Sequence, residues 1–521
     1  MQHDPPPHAH PTGTHDAVRL TGHTLSTLDV EQVARDGRSV SLHERGLERL
    51  ERAHAALGHA LAGGRPIYGV NTGFGSLARK RVEADELATV QHNLLRSHAS
   101  GVGEPLPIEV VRAMMLLLAA SLTRGHSGVR PALVRLLIDL LNAGVTPVVP
   151  SIGSVGASGD LAPLAHLGLV LIGEGEATLG TGERIGGREA LDRAGLAPVE
   201  LGPKEGLALI NGTHLMAAQG ALLMCDTTRV FDAAVAATAM SIDAARATDR
   251  FLDPRVYHAR NHWGPARIAD RLRHMLAGSE IIPSHTDDDP RVQDPYSLRC
   301  AAYVLGSTLQ TLDAIREAVS AELGAVTDNP LVFPHDSEHP EPDVISAGNF
   351  HGMPVALPLD HLALALTHIA GISERRVYLL LAGADPENPL HPHLSVKPGV
   401  ESGLMITQYT AAACVNEMIT LSAPATVANI PTCAGMEDYN SFGPRAAAKA
   451  RQALERCCDV VAIELLVAAE ALEYQRPLKS GGGVERAHRV IRERVPKLTT
   501  DRTPAPDIRA IRELVFAGRF R

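Results

Sequence analysis

The stretch HLMAAQGALLMCDTTRVFDAAVAATAMSIDAARATD, from His214 to Asp249, contains no proline and a single glycine, and its apolar residues recur at helical spacing. It is too long for a strand, which rarely exceeds about ten residues, so it predicts one long helix. Similar stretches occupy residues 296–325, 357–381, 403–421 and 444–472. Aromatic residues make up only 3% of the chain, so the core must be built from Ala, Leu, Val and Ile, side chains small enough for helices to pack closely. The expected architecture is mainly α, with an extended helical bundle over residues 214–521.

The preceding residues read differently. Residues 1–18, beginning MQHDPPPHAHPTGTH, are polar and rich in proline and histidine, and predict a disordered tail. They hold no apolar signal core, which points to a cytoplasmic protein. Residues 19–213 predict a smaller mixed domain. SVSLHERGLERLERAHAALGHALAGG reads as a helix closed by Gly63 and Gly64. PIEVVRAMMLLLAASLTRG and RPALVRLLIDLLNAGV read as a helical hairpin, and TLGTGERIGGREALDRAG as a small strand excursion. The longest apolar run, AMMLLLAASL, is too short to span a bilayer. The net charge of -10, with no basic block, argues against nucleic acid and anionic membrane as partners. None of the six cysteines forms a C-x-x-C pair, so no zinc ribbon or redox motif is expected, and no metal.

One loop stands out. GSVGASGDLAPLAH, from Gly153 to His166, holds almost no side chain up to Asp160 and then starts a helix. A phosphate loop would need a lysine after the glycines, and a nucleophile elbow would need glycine where Asp160 stands. A different chemistry fits Ala157-Ser158-Gly159. With small residues on both sides, the amide nitrogen of Gly159 can approach the carbonyl carbon of Ala157. Ring closure, loss of water and dehydration of Ser158 would leave a methylidene conjugated to an imidazolone, a strong electrophile made from backbone.

These residues resemble the signature of the aromatic amino acid ammonia-lyase family, whose members form that methylidene-imidazolone group (MIO) autocatalytically. Further segments agree in the family's order: YGVNTGFG at 68–75, KEGLALINGTH at 204–214, VQDPYSLRC at 292–300, TDNPL at 327–331 and GNFHG at 348–352. The resemblance covers roughly residues 20–482, and it implies a homotetramer of shared active sites needing no metal or nucleotide. Elimination of ammonia needs an electrophile for the amino nitrogen, a base for the β-hydrogen and a cation for the carboxylate. The resemblance puts the base at Tyr68, an assisting tyrosine at Tyr296, the carboxylate-binding arginine at Arg299, the residue beside the ring and substrate amine at Asn211, and further pocket residues at Gln293 and Phe350.

Two places bear on the substrate, a small amino acid. The family's selectivity pair falls at Ser97-His98, where members acting on tyrosine or phenylalanine usually have His-Leu or Phe-Leu and histidine-specific members have Ser-His. Glu437 matches a glutamate of the histidine-specific members, where the others commonly have glutamine. An imidazole needs a hydrogen-bond partner when buried, whereas a phenyl ring needs an apolar wall. The resemblance therefore implies elimination from L-histidine to trans-urocanate. The sequence departs from the family at Cys300-Ala301-Ala302-Tyr303, at Met436, at Ser346-Ala347-Gly348 and at His214, which leaves a relative of histidine open as the substrate; because the electrophile is shared, a tyrosine or phenylalanine lyase or a 2,3-aminomutase is the alternative within the enzyme class. A binding or scaffold relative whose loop never closes is the alternative of another class.

Overall fold

The computed structural model describes residues 16–64, 66–75, 79–180, 182–285, 289–427 and 429–521. The expected disordered tail falls outside them up to residue 15, while Val18 opens a three-residue strand, Val18–Leu20, that pairs in parallel with Val40–Leu42. Those last residues were expected to begin a helix. They pair instead, and the helix runs Glu44–Ala62, closed by Gly63 as the sequence predicts. The strand wins because Val18, Leu20 and Val40 are buried in it, and such burial outweighs local propensity.

Helices dominate. The long apolar stretches form His214–Ala244, Ala301–Glu322, Met353–Ala382, Met405–Leu421 and Gly443–Glu473. The stretch expected from residue 296 breaks at Cys300, which caps a one-turn helix, Tyr296–Arg299. The helical hairpin is Ile108–Thr123 followed by Pro131–Asn142, and the strand excursion is the antiparallel pair Glu176–Thr178 and Arg184–Gly186, extended by Thr146–Pro147. Met353–Ala382 is long and apolar enough to cross a membrane by length and composition, but 56% of its most apolar window is buried.

Where the sequence suggests one cut near His214, the chain forms two compact units, each drawn from three stretches. Unit 1 takes the chain up to Leu222, Glu317–Leu359 and Ala425–Ala448; unit 2 takes Leu223–Arg316, Asp360–Pro424 and Lys449–Arg521. The core of unit 2 is alanine-rich: Ala233, Ala234, Ala236, Ala237 and Ala239 of one helix are all buried, so that helix has no solvent face there. Inside unit 2, Arg376 and Glu464 are fully buried and paired through Arg376 Nε at 2.5 Å and Nη2 at 2.9 Å, and Ser241 Oγ donates to Glu464 at 2.7 Å.

Candidate active site

The glycine-rich loop in unit 1 is held by backbone. Gly212 N donates to Ser158 O at 3.2 Å and Asp160 N donates to Gly212 O at 2.7 Å, so Gly159 is bracketed in a parallel bridge with Gly212. Gly159 has φ +74, and a Cβ there would lie 2.1 Å from the Gly212 carbonyl oxygen; only glycine fits. On the other side Phe442 N donates to Val155 O at 2.9 Å and Ser441 Oγ to Gly156 O at 3.0 Å. Asp160 occupies the N-cap of the Leu161–Leu171 helix, yet its carboxylate turns to a different helix, accepting Leu215 N at 2.9 Å, Met216 N at 3.2 Å and Ser154 Oγ at 2.9 Å. That carboxyl meets the positive end of the His214–Ala244 helix. Burial still outweighs these donors and pushes Asp160 up to about 7.

Ser158 meets a carboxylate of unit 1. Its Oγ donates to Glu437 Oε1 at 3.2 Å, and Thr432 Oγ1 donates to the other carboxylate oxygen at 2.7 Å. Tyr68 accepts the Gly75 N–H on its hydroxyl at 3.0 Å. Gly75 has φ +52, and a Cβ on it would come 2.5 Å from Cys433 Sγ, so the Tyr68 loop abuts the Thr432–Glu437 turn. Burial raises the Tyr68 pKa, the Gly75 amide lowers it, and the charges of Cys433 and Glu437 raise it again. His98 ends the Leu87–His98 helix and shares a hydrogen bond between Ser97 Oγ and its Nδ1 at 3.0 Å. Burial lowers its pKa, against a smaller upward pull from Leu94 O and Glu437, so its ring is neutral at neutral pH. Gln91 on the same helix ties its surroundings together, donating to Gly69 O at 3.3 Å and accepting Leu207 N at 3.0 Å.

Asn211 is 3% exposed; its Nδ2 donates to Asn329 O at 2.9 Å and its Oδ1 has no partner among the described residues. Behind it, buried Lys204 pairs with Asp328, whose other oxygen accepts the Asn329 N–H at 2.6 Å. Phe350 is half-buried in a segment anchored by Ala347 N to Asn329 Oδ1 at 2.7 Å and by Asn349 Nδ2 to Val326 O at 2.9 Å.

Gln293, Tyr296 and Arg299 belong to unit 2. Gln293 is exposed. Tyr296 is 69% exposed, and the Arg299 guanidinium lies 4.4 Å from its ring centroid, as expected of residues one turn apart. Arg299 Nε donates to Asp294 O at 2.8 Å.

The description "aromatic amino acid lyase" fits a family model that matches residues 25–493. The chain belongs to the aromatic amino acid lyase family. It is 47% identical over 506 residues to a histidine ammonia-lyase of Symbiobacterium thermophilum, covering 97% of each chain. Among solved structures it resembles histidine ammonia-lyase from Trypanosoma cruzi, with TM-score 0.89 and 34% identity over 97% of this chain and 94% of that one. It also resembles tyrosine aminomutase from Streptomyces globisporus, with TM-score 0.89 and 31% identity over 97% and 98%. In unit 1, Ser158 is hydrogen-bonded to Glu437 and to the backbone of Gly212, next to Asn211, and the Tyr68 loop abuts the Thr432–Glu437 turn. Sequence reasoning passed over Thr432, five residues before Glu437, and the reach of Asp160 to Met216. Asp160 carried a signal, as the residue that spoiled a nucleophile elbow; Thr432 carried none.

Proposed function

We propose that this lyase acts on L-histidine, giving trans-urocanate and ammonia, with an MIO electrophile built from Ala157, Ser158 and Gly159. The residues fit that group: Ala157 is small and buried, and Gly159 lacks the Cβ that would strike Gly212. When formed, the group supplies an electrophile for the substrate's amino nitrogen. One observation carries the histidine reading. The Ser158 hydroxyl donates to Glu437, so a carboxylate stands beside the side chain that becomes the methylidene. A carboxylate there suits an imidazole N–H and leaves a phenyl ring facing an uncompensated charge.

The chain's own residues take the other roles. Glu437 accepts the imidazole N–H, and neutral His98 offers the ring a second partner. Asn211 keeps its free Oδ1 for the substrate amine. Tyr68 removes the β-hydrogen; burial and Glu437 hold its proton on, so a cation must lower its pKa in the working site. Arg299 grips the carboxylate as a planar fork with Tyr296 against it, and Gln293 and Phe350 line the pocket. We infer a homotetramer whose sites draw on several subunits. The Met405–Leu421 helix supports an assembly, since Ile406, Tyr409 and Ile419 are all exposed on it.

The test is a panel of L-histidine, L-tyrosine and L-phenylalanine with ultraviolet detection of the acrylate, alongside intact mass. Urocanate as the main product and a mass lower by two waters are expected. A tyrosine- or phenylalanine-derived acrylate, or a β-amino acid with ammonia retained, would replace the substrate assignment; a full mass would point to the non-catalytic alternative.

A further inference from the structure

We propose that Thr432 is a positioning residue for Glu437, and that ring closure hands it sole charge of that carboxylate. The chain described here carries the Ser158 hydroxyl, the form before closure. Glu437 then has a side-chain donor on each oxygen, Ser158 Oγ on Oε1 at 3.2 Å and Thr432 Oγ1 on Oε2 at 2.7 Å. Closure joins the Gly159 nitrogen to the Ala157 carbonyl carbon. It releases that carbonyl oxygen as water with the two amide hydrogens of Ser158 and Gly159. Ser158 then loses its hydroxyl and α-hydrogen as a second water. The donor on Oε1 therefore leaves with the chemistry, and Oε1 is freed toward the place where substrate binds. The donor on Oε2 remains.

The backbone is arranged to keep it there. Thr432 and Glu437 form an antiparallel bridge, with Thr432 N donating to Glu437 O at 2.9 Å and Glu437 N to Thr432 O at 3.4 Å. Between them Cys433, Ala434 and Gly435 all have positive φ, at 49, 54 and 85°. Two of these are L side chains in a region they rarely adopt, held by Gly435 N donating to Thr432 O at 3.0 Å. The turn thus folds Thr432 back over Glu437, and its hydroxyl fixes one rotamer of a carboxylate that would otherwise swing. A carboxylate that must meet an imidazole N–H gains from such preorganisation.

This inference rests on the reading of Glu437 as the imidazole partner, and the experiment separates the two. Thr432→Val, Thr432→Ser, Glu437→Gln and the double variant Thr432→Val/Glu437→Gln are made in the full chain. Intact mass, kcat and KM on histidine are measured for each. Thr432→Val is expected to reach the mass lower by two waters and to lose roughly ten- to hundredfold in kcat/KM, as for a hydrogen bond to a charged group. Thr432→Ser should restore most of that loss. In the Glu437→Gln background Thr432→Val should cost less than about threefold, because the two act as one unit. Equal losses in both backgrounds, no rescue by serine, or a Thr432→Val chain stuck at its full mass would each overturn the proposal. If the closed wild-type chain is inert on histidine, the substrate reading fails instead, and the same cycle is then run on whichever amino acid the panel identifies.

Discussion

The loop around Ser158 in unit 1 is held by Gly212 and Glu437 at Ser158 and by Ser441 at Gly156, through contacts that are mostly backbone or buried. The Arg299 side chain in unit 2 makes one hydrogen bond among the described residues, to Asp294 O, and leans on the exposed ring of Tyr296. The first arrangement is preorganised: its geometry is finished when the chain has folded. The second leaves the guanidinium's outer nitrogens without a partner among the described contacts, ready for a planar anion. The electrophile proposed for this chain needs the first kind of rigidity, because its closure demands near-contact of two backbone atoms. Binding a carboxylate needs only a correctly aimed fork.

Ser158→Ala is the harshest test of that contrast. A small residue replaces a small one, so melting temperature should hold while turnover falls by orders of magnitude; near-wild-type turnover in the purified variant would remove the electrophile from the mechanism. Next in size is a change that spares both sets of residues. Glu464→Gln leaves Arg376 charged and unneutralised in the core of unit 2, which should lower stability by about 3–5 kcal/mol in a denaturant titration. A loss below about 1 kcal/mol would mean that water or a neighbour already compensates the charge. Arg299→Lys keeps the charge but loses the fork; a misplaced substrate at saturating histidine should turn over about a hundredfold more slowly. If kcat is unchanged, the carboxylate is held elsewhere than by Arg299. Smallest is His98→Leu, where a half-buried imidazole partner is lost, at about 1–2 kcal/mol, or roughly 5- to 30-fold in kcat/KM for histidine. Use of phenylalanine or tyrosine should improve in the same variant; an unmoved histidine-to-tyrosine ratio would separate His98 from selectivity.

The long helices were legible because their breakers are few and their apolar spacing is regular, and the end of Glu44–Ala62 because Gly63 and Gly64 follow it. What was not legible is long-range. Val40–Leu42 reads as the start of a helix until Val18–Leu20 supplies its partner. The break at Cys300 has no proline or glycine to announce it. In the site, the resemblance led to Tyr68, Ser158 and Glu437, yet nothing local marks Asp160 as the acceptor for Leu215 and Met216, or Thr432 as the donor to Glu437. Those links depend on chain segments separated by dozens to hundreds of positions, or on a turn with L residues at positive φ that propensity disfavours. The interleaving of three stretches into each unit is equally invisible to a reading that proceeds along the chain.

The clamp on Gly159 also bears on how such a chain can diversify. The loop is fixed by peptide groups of Gly212, Asp160 and Phe442, which every substitution retains except proline. His98, proposed to meet the substrate, can therefore be exchanged without altering these peptide groups, whereas Glu437 is itself hydrogen-bonded to Ser158 and links the two. To that extent the backbone that holds the loop and the side chains proposed to choose the substrate are inherited on separate parts of the polymer, so selection or a designer can rewrite much of the second while the first stays constant.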